Sequence, residues 1–240
     1  MKLTVKDEIF NRFPHLRIGM VVGRGLNIRK KSTALRTIIE QNTTKLFKRV
    51  GDKKLTDFQN ITAWREVYRE LGVSPKKYKP TAEAFLKRIL KGNPFPCINT
   101  AVDAYLAIEL LYMLPIGGYD LAKVRGDITL RFSKGDETFL PIGGKNREAT
   151  RPGEIVYSDD KIVLTRNWNF RDSDHTKITE YSKNIILISE AALSNISSED
   201  LTHTIEGLVE YESRFCRGEY DTYFLDRGNP CVNLSYGDRT

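Results

Sequence analysis

The period of the apolar residues changes near residue 115, and this change constrains the fold more than any other feature. Residues 98–114 are apolar on nearly every side of a helix, which predicts a helix buried in the core. Pro115 and the pair Gly117–Gly118 end that helix. From Val124 to Phe132 apolar and polar residues alternate, which is typical of a half-buried strand. A helix-rich part therefore precedes a strand-rich part, and we predict an α+β fold.

Local patterns predict the other elements. Ser32 is a suitable N-cap for a helix that continues to residue 50. Further helices are predicted between residues 60 and 72, 81 and 92, and 197 and 215. Short strands are predicted near residues 137–142, 154–158, 161–165 and 185–188, whereas the residues after Gly218 show no clear period. We divide the chain into a basic, mainly helical part (1–97), a strand-rich core (98–217) and a tail packed on the core (218–240).

Charge is distributed unevenly along the chain. The first 97 residues contain 22 Lys and Arg against 8 Asp and Glu, whereas residues 98–240 contain 16 against 23. The net charge of +7 therefore combines a basic part with an acidic part. Basic surfaces attract nucleic-acid phosphates without reading their sequence. We expect Lys76, Lys77 and Lys79, which lie between two prolines, to bind RNA; the alternative is a solvated surface with surplus lysine.

The densest polar and aromatic stretch is the loop 166–175, which follows a predicted strand. One interpretation is a site lining, in which Trp168 stacks on a ligand and Arg166 and Arg171 bind phosphate or carboxylate groups. The other interpretation is an internal network of ion pairs, because polar side chains in such a loop need partners when they are buried. The sequence leaves both interpretations open.

Two polar residues, Asn99 and Asp103, lie four positions apart at the start of the predicted buried helix. This spacing places them on the same face of the helix. Polar groups in a buried position must find partners. We therefore expect these residues either to cap the helix or to point into the same pocket as the loop 166–175.

No pattern in the sequence predicts a metal ion, a cofactor, a membrane segment or an oligomeric state. The three histidines lack the spacing of metal ligands, and the three cysteines form neither a Cys-x-x-Cys pair nor an even set for disulfides. No apolar run is long enough to span a bilayer, and charged residues interrupt the first 20 positions. We expect a cytoplasmic protein with reduced thiols and without a signal peptide.

Residues 98–193 resemble a known family. The order and spacing of their motifs are similar to those of the B3/B4 domain that phenylalanyl-tRNA synthetase carries in its beta subunit. The matching segments are Val102–Tyr105, Leu114–Asp120, Gly135–Glu137, Ile155–Asp159 and Ser182–Ile185. Segments nearer the N-terminus, such as Trp64–Glu66, resemble the free-standing members of this group. The resemblance implies a B3/B4-like mixed sheet and a partner that is tRNA or aminoacyl-tRNA.

In the synthetase, this domain hydrolyses the ester of tRNA that carries the wrong amino acid. The resemblance places Tyr105, Gly117, Asn169 and Ile188 at the positions of the editing pocket, and all four differ in type from the family's residues. Glu190 takes the position of the pocket glutamate only after a shift of two residues, which keeps it on the same strand face. The match covers this domain alone, which implies that the chain is not itself a tRNA ligase.

The sequence leaves three functions open. The first is a deacylase that hydrolyses mischarged aminoacyl-tRNA in trans, because that reaction needs only an oriented water molecule and a stabilised oxyanion. The second is a non-catalytic module that binds tRNA or another structured RNA, and the third is a protein that binds a free amino acid. The predicted catalytic residues are Asn169, Arg171 and either Asp103 or Asp172, the last two as alternatives for orienting water. The predicted substrate-binding residues are Asn99, Tyr105, Gly117, Arg166 and Trp168.

Overall fold

The structure, a computed structural model, describes residues 1–234 and has the predicted α+β composition. The end of the predicted tail, residues 235–240, lies outside the described residues. The helices are α1 (Asp7–Arg12), α2 (Thr33–Val50), α3 (Gln59–Glu70), α4 (Thr81–Leu90), α5 (Thr100–Tyr112) and α6 (Ser198–Cys216). The strands are β1 (Lys2–Val5), β2 (Arg17–Arg24), β3 (Ile116–Asp120), β4 (Ile128–Phe132), β5 (Thr138–Phe139), β6 (Glu148–Ala149), β7 (Ile155–Ser158), β8 (Val163–Arg166), β9 (Arg171–Asp172), β10 (Ile185–Ala191), β11 (Glu219–Leu225) and β12 (Cys231–Asn233).

The strands form two main sheets. One sheet has six strands in the order β12-β1-β4-β7-β8-β9, and the other has four strands in the order β11-β2-β10-β3. Strands β1 and β4 run parallel. The other neighbouring strands that the structure describes in these sheets are antiparallel. Strands β5 and β6 form a separate antiparallel pair.

The core has two layers, one on each face of the four-stranded sheet. Met20 and Val22 of β2 belong to the layer between the sheets, together with Leu130 of β4 and Tyr157 of β7. Val21, which lies between them in sequence, belongs instead to the layer that contains residues of α5 and α6. Because both faces are covered, every residue of β10 is buried. Its first four residues, 185–188, therefore form a continuous apolar run and not an alternation.

The change of period near residue 115 coincides with the turn from α5 into β3. Asn99 caps α5, because its Oδ1 accepts hydrogen bonds from the N–H groups of Ala101 (3.1 Å) and Val102 (3.0 Å). Met113 has a left-handed backbone with φ 57° and ends the helix. The predicted buried helix is confirmed, with ends that lie slightly inside the predicted ones.

The structure corrects several of the predicted strands. Strand β2 lies inside the four-stranded sheet and β11 lies at its edge, although the sequence pattern predicts neither. The strand predicted at 124–132 begins only at Ile128, and the strand predicted at 137–142 has two residues. The N-terminal strands β1 and β2 pair with β4 and β10 of residues 98–217, whereas the C-terminal strands β12 and β11 pair with β1 and β2. The division into three parts stays a prediction.

Candidate functional site

A small cavity lies between the two sheets, where β3 and β10 face β8 and β9. Its volume is about 50 Å³, which is enough for a few water molecules but not for a benzene-sized group. Two carboxyl groups, from Asp172 of β9 and Glu190 of β10, line it together with Gly117, Trp168 and Asn169. Acidic groups and hydrogen-bond donors thus converge in a buried place, which makes this cavity the candidate site.

A chain of hydroxyl groups holds Asp172 in place. The hydroxyl of Thr165 donates to Oδ1 of Asp172 (2.6 Å), and the hydroxyl of Tyr119 lies 2.5 Å from that of Thr165. Thr165 and Asp172 are direct partners on β8 and β9, so the strand register brings them together. Burial raises the pKa of Asp172 to about 6, although Thr165 and the N–H of Gly118 oppose the rise.

Glu190 is the second acid of the cavity and is 3% exposed. The hydroxyl of Tyr157 donates to its Oε1 (2.7 Å). Burial raises the pKa of Glu190 to about 7, and the nearby charge of Asp172 adds to the rise. Donors on Tyr157, Asn169 and Trp168 oppose it. Two interacting acids with pKa values near neutrality can take up and release protons at physiological pH.

The turn after β8 brings N–H donors to the same cavity. Its residues Asn167 and Trp168 have φ angles of 43° and 65°, which is a costly conformation for residues other than glycine. The ring of Trp168 is fully buried and meets Phe13 and Trp64 edge to face, at centroid distances of 4.9 and 5.2 Å. Among the described residues, Nε1 of Trp168 and Nδ2 of Asn169 complete no well-formed hydrogen bond. Both donors thus lie close enough to Glu190 to favour its charged form, without completing a well-formed hydrogen bond to it.

The structure brings five of the predicted site residues to the cavity, namely Gly117, Trp168, Asn169, Arg171 and Asp172. Gly117 leaves space beside the carboxyl group, since a Cβ atom there would lie 3.3 Å from Oδ2 of Asp172. Arg171 is exposed, and its guanidinium lies 5.2 Å from the centre of the Phe170 ring. Trp168 cannot stack on a ligand as predicted, because core residues cover its ring.

For Arg166 the structure favours the internal ion pair over the predicted role in substrate binding. Its Nε and Nη2 donate to Glu154 (2.8 Å each), and its Nη1 donates to Glu148 (2.7 Å). Hydrogen bonding to Glu154 raises the pKa of Arg166 above its already high value. The N–H groups of the Arg166 guanidinium therefore already donate to carboxylates. These ion pairs hold the loop in place.

Three further predicted residues, Asn99, Asp103 and Tyr105, do not line the cavity. Asn99 is the N-cap of α5. Oδ1 of Asp103 accepts the N–H of Ile98 (2.9 Å), and Asp103 lines a separate groove beside α2. Tyr105 packs against the core layer of α5 and α6. The expected meeting of Asn99 and Asp103 with the loop 166–175 is therefore not found, because these two residues satisfy backbone N–H groups around the start of α5.

The predicted RNA-binding lysines lie beside the mouth of the cavity. Lys76 and Lys77 are exposed and Lys79 is half-buried. Tyr78, in the middle of this segment, meets Phe170 edge to face with ring centroids 5.2 Å apart. Phe170 in turn lines the cavity. A phosphate backbone bound by the lysines would therefore run close to the two acids.

The residues that hold the two acids were not predicted from the sequence. Tyr119, Tyr157 and Thr165 come from three different strands, and no local pattern distinguishes them from core residues. The position of Glu190 could be anticipated from the sequence, because it lies two positions after Ile188 and strand geometry places both side chains on one face. The cavity is lined by both. Glu190 lies two residues after the position that the resemblance assigns to the pocket glutamate, but its carboxyl group still lines the cavity.

Two general properties of the described chain bear on the kind of site. Within residues 1–234, no group of three or more His, Cys, Asp or Glu side chains is placed to hold a metal ion. In the same part of the chain no helix has the length and apolar character needed to cross a bilayer. The groups that do converge in the cavity are carboxyl groups, hydroxyl groups and N–H donors.

Comparison with known proteins gives a family match and two partial relatives. A family model described as the B3/4 domain matches residues 63–227, which is more than half of the chain. The phenylalanine–tRNA ligase beta subunit of Chromobacterium violaceum is 30% identical over 106 residues, which cover 44% of this chain and 13% of that subunit. The same subunit of Fusobacterium nucleatum is 28% identical over 103 residues, which cover 43% and 13%. The chain thus aligns with a small part of the length of these relatives.

A solved structure is also similar to this chain. It is the crystal structure of an N-terminal fragment of the phenylalanyl-tRNA synthetase beta subunit from Pyrococcus horikoshii. The alignment has a TM-score of 0.46 and 12% sequence identity, and it covers 91% of this chain and 49% of that fragment.

Proposed function

The chain belongs to the B3/4 domain family, and from this premise we propose that it hydrolyses the ester bond of mischarged aminoacyl-tRNA in trans. The observation that supports the proposal is the cavity in which two acids, Asp172 and Glu190, have pKa values near neutrality and lie beside the N–H donors of Trp168 and Asn169. Both bacterial relatives are beta subunits of phenylalanine–tRNA ligase, so tRNA or aminoacyl-tRNA is the proposed partner.

In the proposed reaction Glu190 is the general base. Its carboxylate takes a proton from a water molecule in the cavity while the water oxygen attacks the carbonyl carbon of the ester. Nε1 of Trp168 and Nδ2 of Asn169 donate to the carbonyl oxygen as it becomes negative. The bond between the carbonyl carbon and the ribose oxygen then breaks, and the ribose oxygen takes the proton from Glu190. Asp172, held by Thr165, orients the water.

The size of the cavity restricts how a substrate reaches these groups. A volume of about 50 Å³ accepts the attacking water, but an amino-acid side chain needs more room. The substrate therefore enters from the side of Phe170 and Arg171, where the exposed Arg171 side chain can move away from the mouth. Lys76 and Lys77 would hold the tRNA backbone on the same side.

A panel of mischarged tRNAs tests the proposal. We expect the protein to release the amino acid from at least one member faster than the spontaneous reaction. Glu190→Gln keeps the size of the side chain and an acceptor for Tyr157 but cannot take a proton, so this release should be lost. Glu210→Gln changes an exposed glutamate of α6 and should keep the full rate. No release from any ester of the panel would contradict the proposal.

The small cavity also supports a second candidate, a module that binds tRNA without hydrolysing it. Binding of tRNA without release of the amino acid in the same panel would favour this candidate. In either case, reversing Lys76, Lys77 and Lys79 to glutamate should weaken tRNA binding and reduce its dependence on salt. Reversing Lys76 and Lys77 alone should leave the melting temperature unchanged, because these two charges are exposed and exposed charges contribute little to stability. An unchanged affinity would exclude this segment as an RNA contact.

A cytoplasmic location is part of the proposal, because a tRNA-dependent function requires access to aminoacyl-tRNA. The three cysteines are free thiols. Two of them, Cys97 and Cys231, are exposed. Exposed thiols of this kind stay reduced in a cytosolic environment.

A further inference from the structure

A second and much larger groove lies away from the two acids. It runs between α2 and the segment 92–97 that follows α4, and Asp103 of α5 lines it. Its volume is about 680 Å³, which is within the range of small-molecule sites. None of the residues that line the smaller cavity lines this groove. The groove is therefore a separate candidate for ligand binding.

The walls of the groove are largely apolar. Leu35, Ile39 and Phe47 contribute from α2, and Ile89 and Phe95 contribute from the opposite wall. Phe47 is 45% exposed, whereas Leu35, Ile39, Leu46 and Val50 of the same helix are buried. Burial of such a surface by the apolar body of a ligand would be favourable.

Asp103 places a carboxyl group in this apolar environment. The residue is 6% exposed, and the N–H of Ile98 donates to its Oδ1 (2.9 Å). Burial raises the pKa of Asp103 to about 6, and this N–H is the group that opposes the rise. A buried carboxylate of this kind is costly unless a cation pairs with it.

The cations at the rim of the groove do not serve as that partner. Arg36 of α2 lies 3.4 Å from Glu40 on the same exposed helix face, as an i,i+4 pair. Lys31 also lines the groove near the start of α2. Neither cation contributes to the pKa of Asp103. The negative charge of Asp103 thus has no neutralising partner among the residues that the structure describes.

We propose that this groove binds a small organic cation, a primary amine with an alkyl or aryl body. The ammonium group pairs with Asp103, and the apolar body lies against Ile39, Phe47 and Phe95. The charge of Asp103 supplies the specificity, since a neutral molecule of the same shape gains the apolar contacts and at most a neutral hydrogen bond, without the pairing of charges. This binding is independent of the proposed ester hydrolysis, because the two sites share no lining residue.

A matched pair of probes tests the proposal. We would titrate the full protein with 2-phenylethylamine and with 2-phenylethanol, and follow backbone amide chemical shifts by NMR. The amine should bind about tenfold or more tightly than the alcohol, as a charged hydrogen bond to a buried carboxylate implies. The shifts should be centred on the α2 wall and on residues 92–97.

Two variants test whether the amine pairs with Asp103 and whether both probes bind in the groove. Asp103→Asn keeps an acceptor for the N–H of Ile98 and should remove the preference for the amine. Thr43→Trp fills the groove from α2 and should weaken both probes. Asp52→Asn changes an exposed aspartate outside the groove and serves as the control. Equal binding of amine and alcohol, no binding of the amine, or an unchanged preference in Asp103→Asn would each overturn the proposal.

Discussion

Two pairs of buried carboxyl groups differ sharply in their surroundings. The cavity pair, Asp172 and Glu190, lines a cavity and accepts hydrogen bonds from neighbouring hydroxyl groups. The core pair, Glu109 of α5 and Glu212 of α6, is 0% exposed in the helical layer. Among the described residues, none of the four oxygens of the core pair completes a hydrogen bond. The cavity pair thus accepts well-formed hydrogen bonds, whereas the core pair has only the weaker donors N–H of Ile116, near Glu109, and the thiol of Cys216, near Glu212.

The difference shows how burial and hydrogen-bond donors together set the charge of an acid inside the protein. Burial raises the pKa of all four groups, but donors hold Asp172 at about 6 and Glu190 at about 7. Burial raises the pKa values of Glu109 and Glu212 well above their usual range. We infer that the core pair stays protonated as a neutral part of the core, whereas the cavity pair exchanges protons near neutral pH.

The largest expected effect is the loss of hydrolysis when the base of the cavity pair is removed. Glu190→Gln should lower kcat/KM for a mischarged tRNA by about 100-fold to 10,000-fold, the usual contribution of general base catalysis. Glu109→Gln makes the same chemical change in the core pair and should leave kcat/KM within about twofold. Single-turnover release of the amino acid measures both. Comparable losses of kcat/KM in the two variants would show that the cavity pair and the core pair do not differ in function.

A second expected effect is a pH dependence that the two acids share. Glu190 acts as a carboxylate, so kcat/KM should rise with pH and level off above about 7, and fall about tenfold per pH unit well below that value. Because the charge of Asp172 raises the pKa of Glu190, Asp172→Asn should move the rise to lower pH. The pH profiles of the two proteins measure this shift. A profile that keeps its midpoint in Asp172→Asn would show that the acids do not interact.

The last expected effect concerns the free energy of unfolding and the core pair. Above an ordinary Glu pKa of about 4.3, the unfolded chain loses a proton that a protonated core glutamate keeps. The free energy of unfolding therefore falls with rising pH, by about 1.4 kcal/mol per pH unit for each such group until its folded pKa is reached. Glu109→Gln should remove one such contribution and make the protein more stable than the wild type at about pH 8.

Urea unfolding at two pH values measures that change in stability. The free energy of unfolding of Glu109→Gln should depend less on pH than that of the wild type. Glu210→Gln, at an exposed position of α6, should follow the wild type. The same pH dependence in Glu109→Gln and in the wild type would mean that Glu109 is ionised in the folded protein.

Much of the helical part could be predicted, because its signals are local. Ser32, Asn99 and Ser197 each accept backbone N–H groups at the start of a helix, and each cap is visible in the sequence. Strands β2 and β11 could not be predicted in this way. β2 is covered on both faces, so its residues do not alternate. The partners that define β11 lie far away in sequence.

The site was harder to predict than the fold because its contacts are not local. Arg166 pairs with Glu148 and Glu154, which lie in a stretch whose sequence shows no strong helical or strand pattern. Nothing in the sequence indicates that these two carboxylates accept the hydrogen bonds of the Arg166 guanidinium. Asp172 was predicted from the polar loop, but Glu190 lies in a strand whose other residues are mostly apolar. Only the family resemblance drew attention to its position.

A pH titration of the side-chain carboxyl carbons by NMR tests most directly whether the cavity pair and the core pair differ in their state of protonation. With carbon-13 in the carboxyl groups of Asp and Glu, Asp172 should titrate near pH 6 and Glu190 near pH 7. Glu109 and Glu212 should still be protonated at the pH at which Glu190 has lost its proton. The signals are assigned by their absence in the matching Asn and Gln variants. Titration of the core pair at or below the pH of Glu190, or of Glu190 in the usual range of about 4 to 5, would contradict the account.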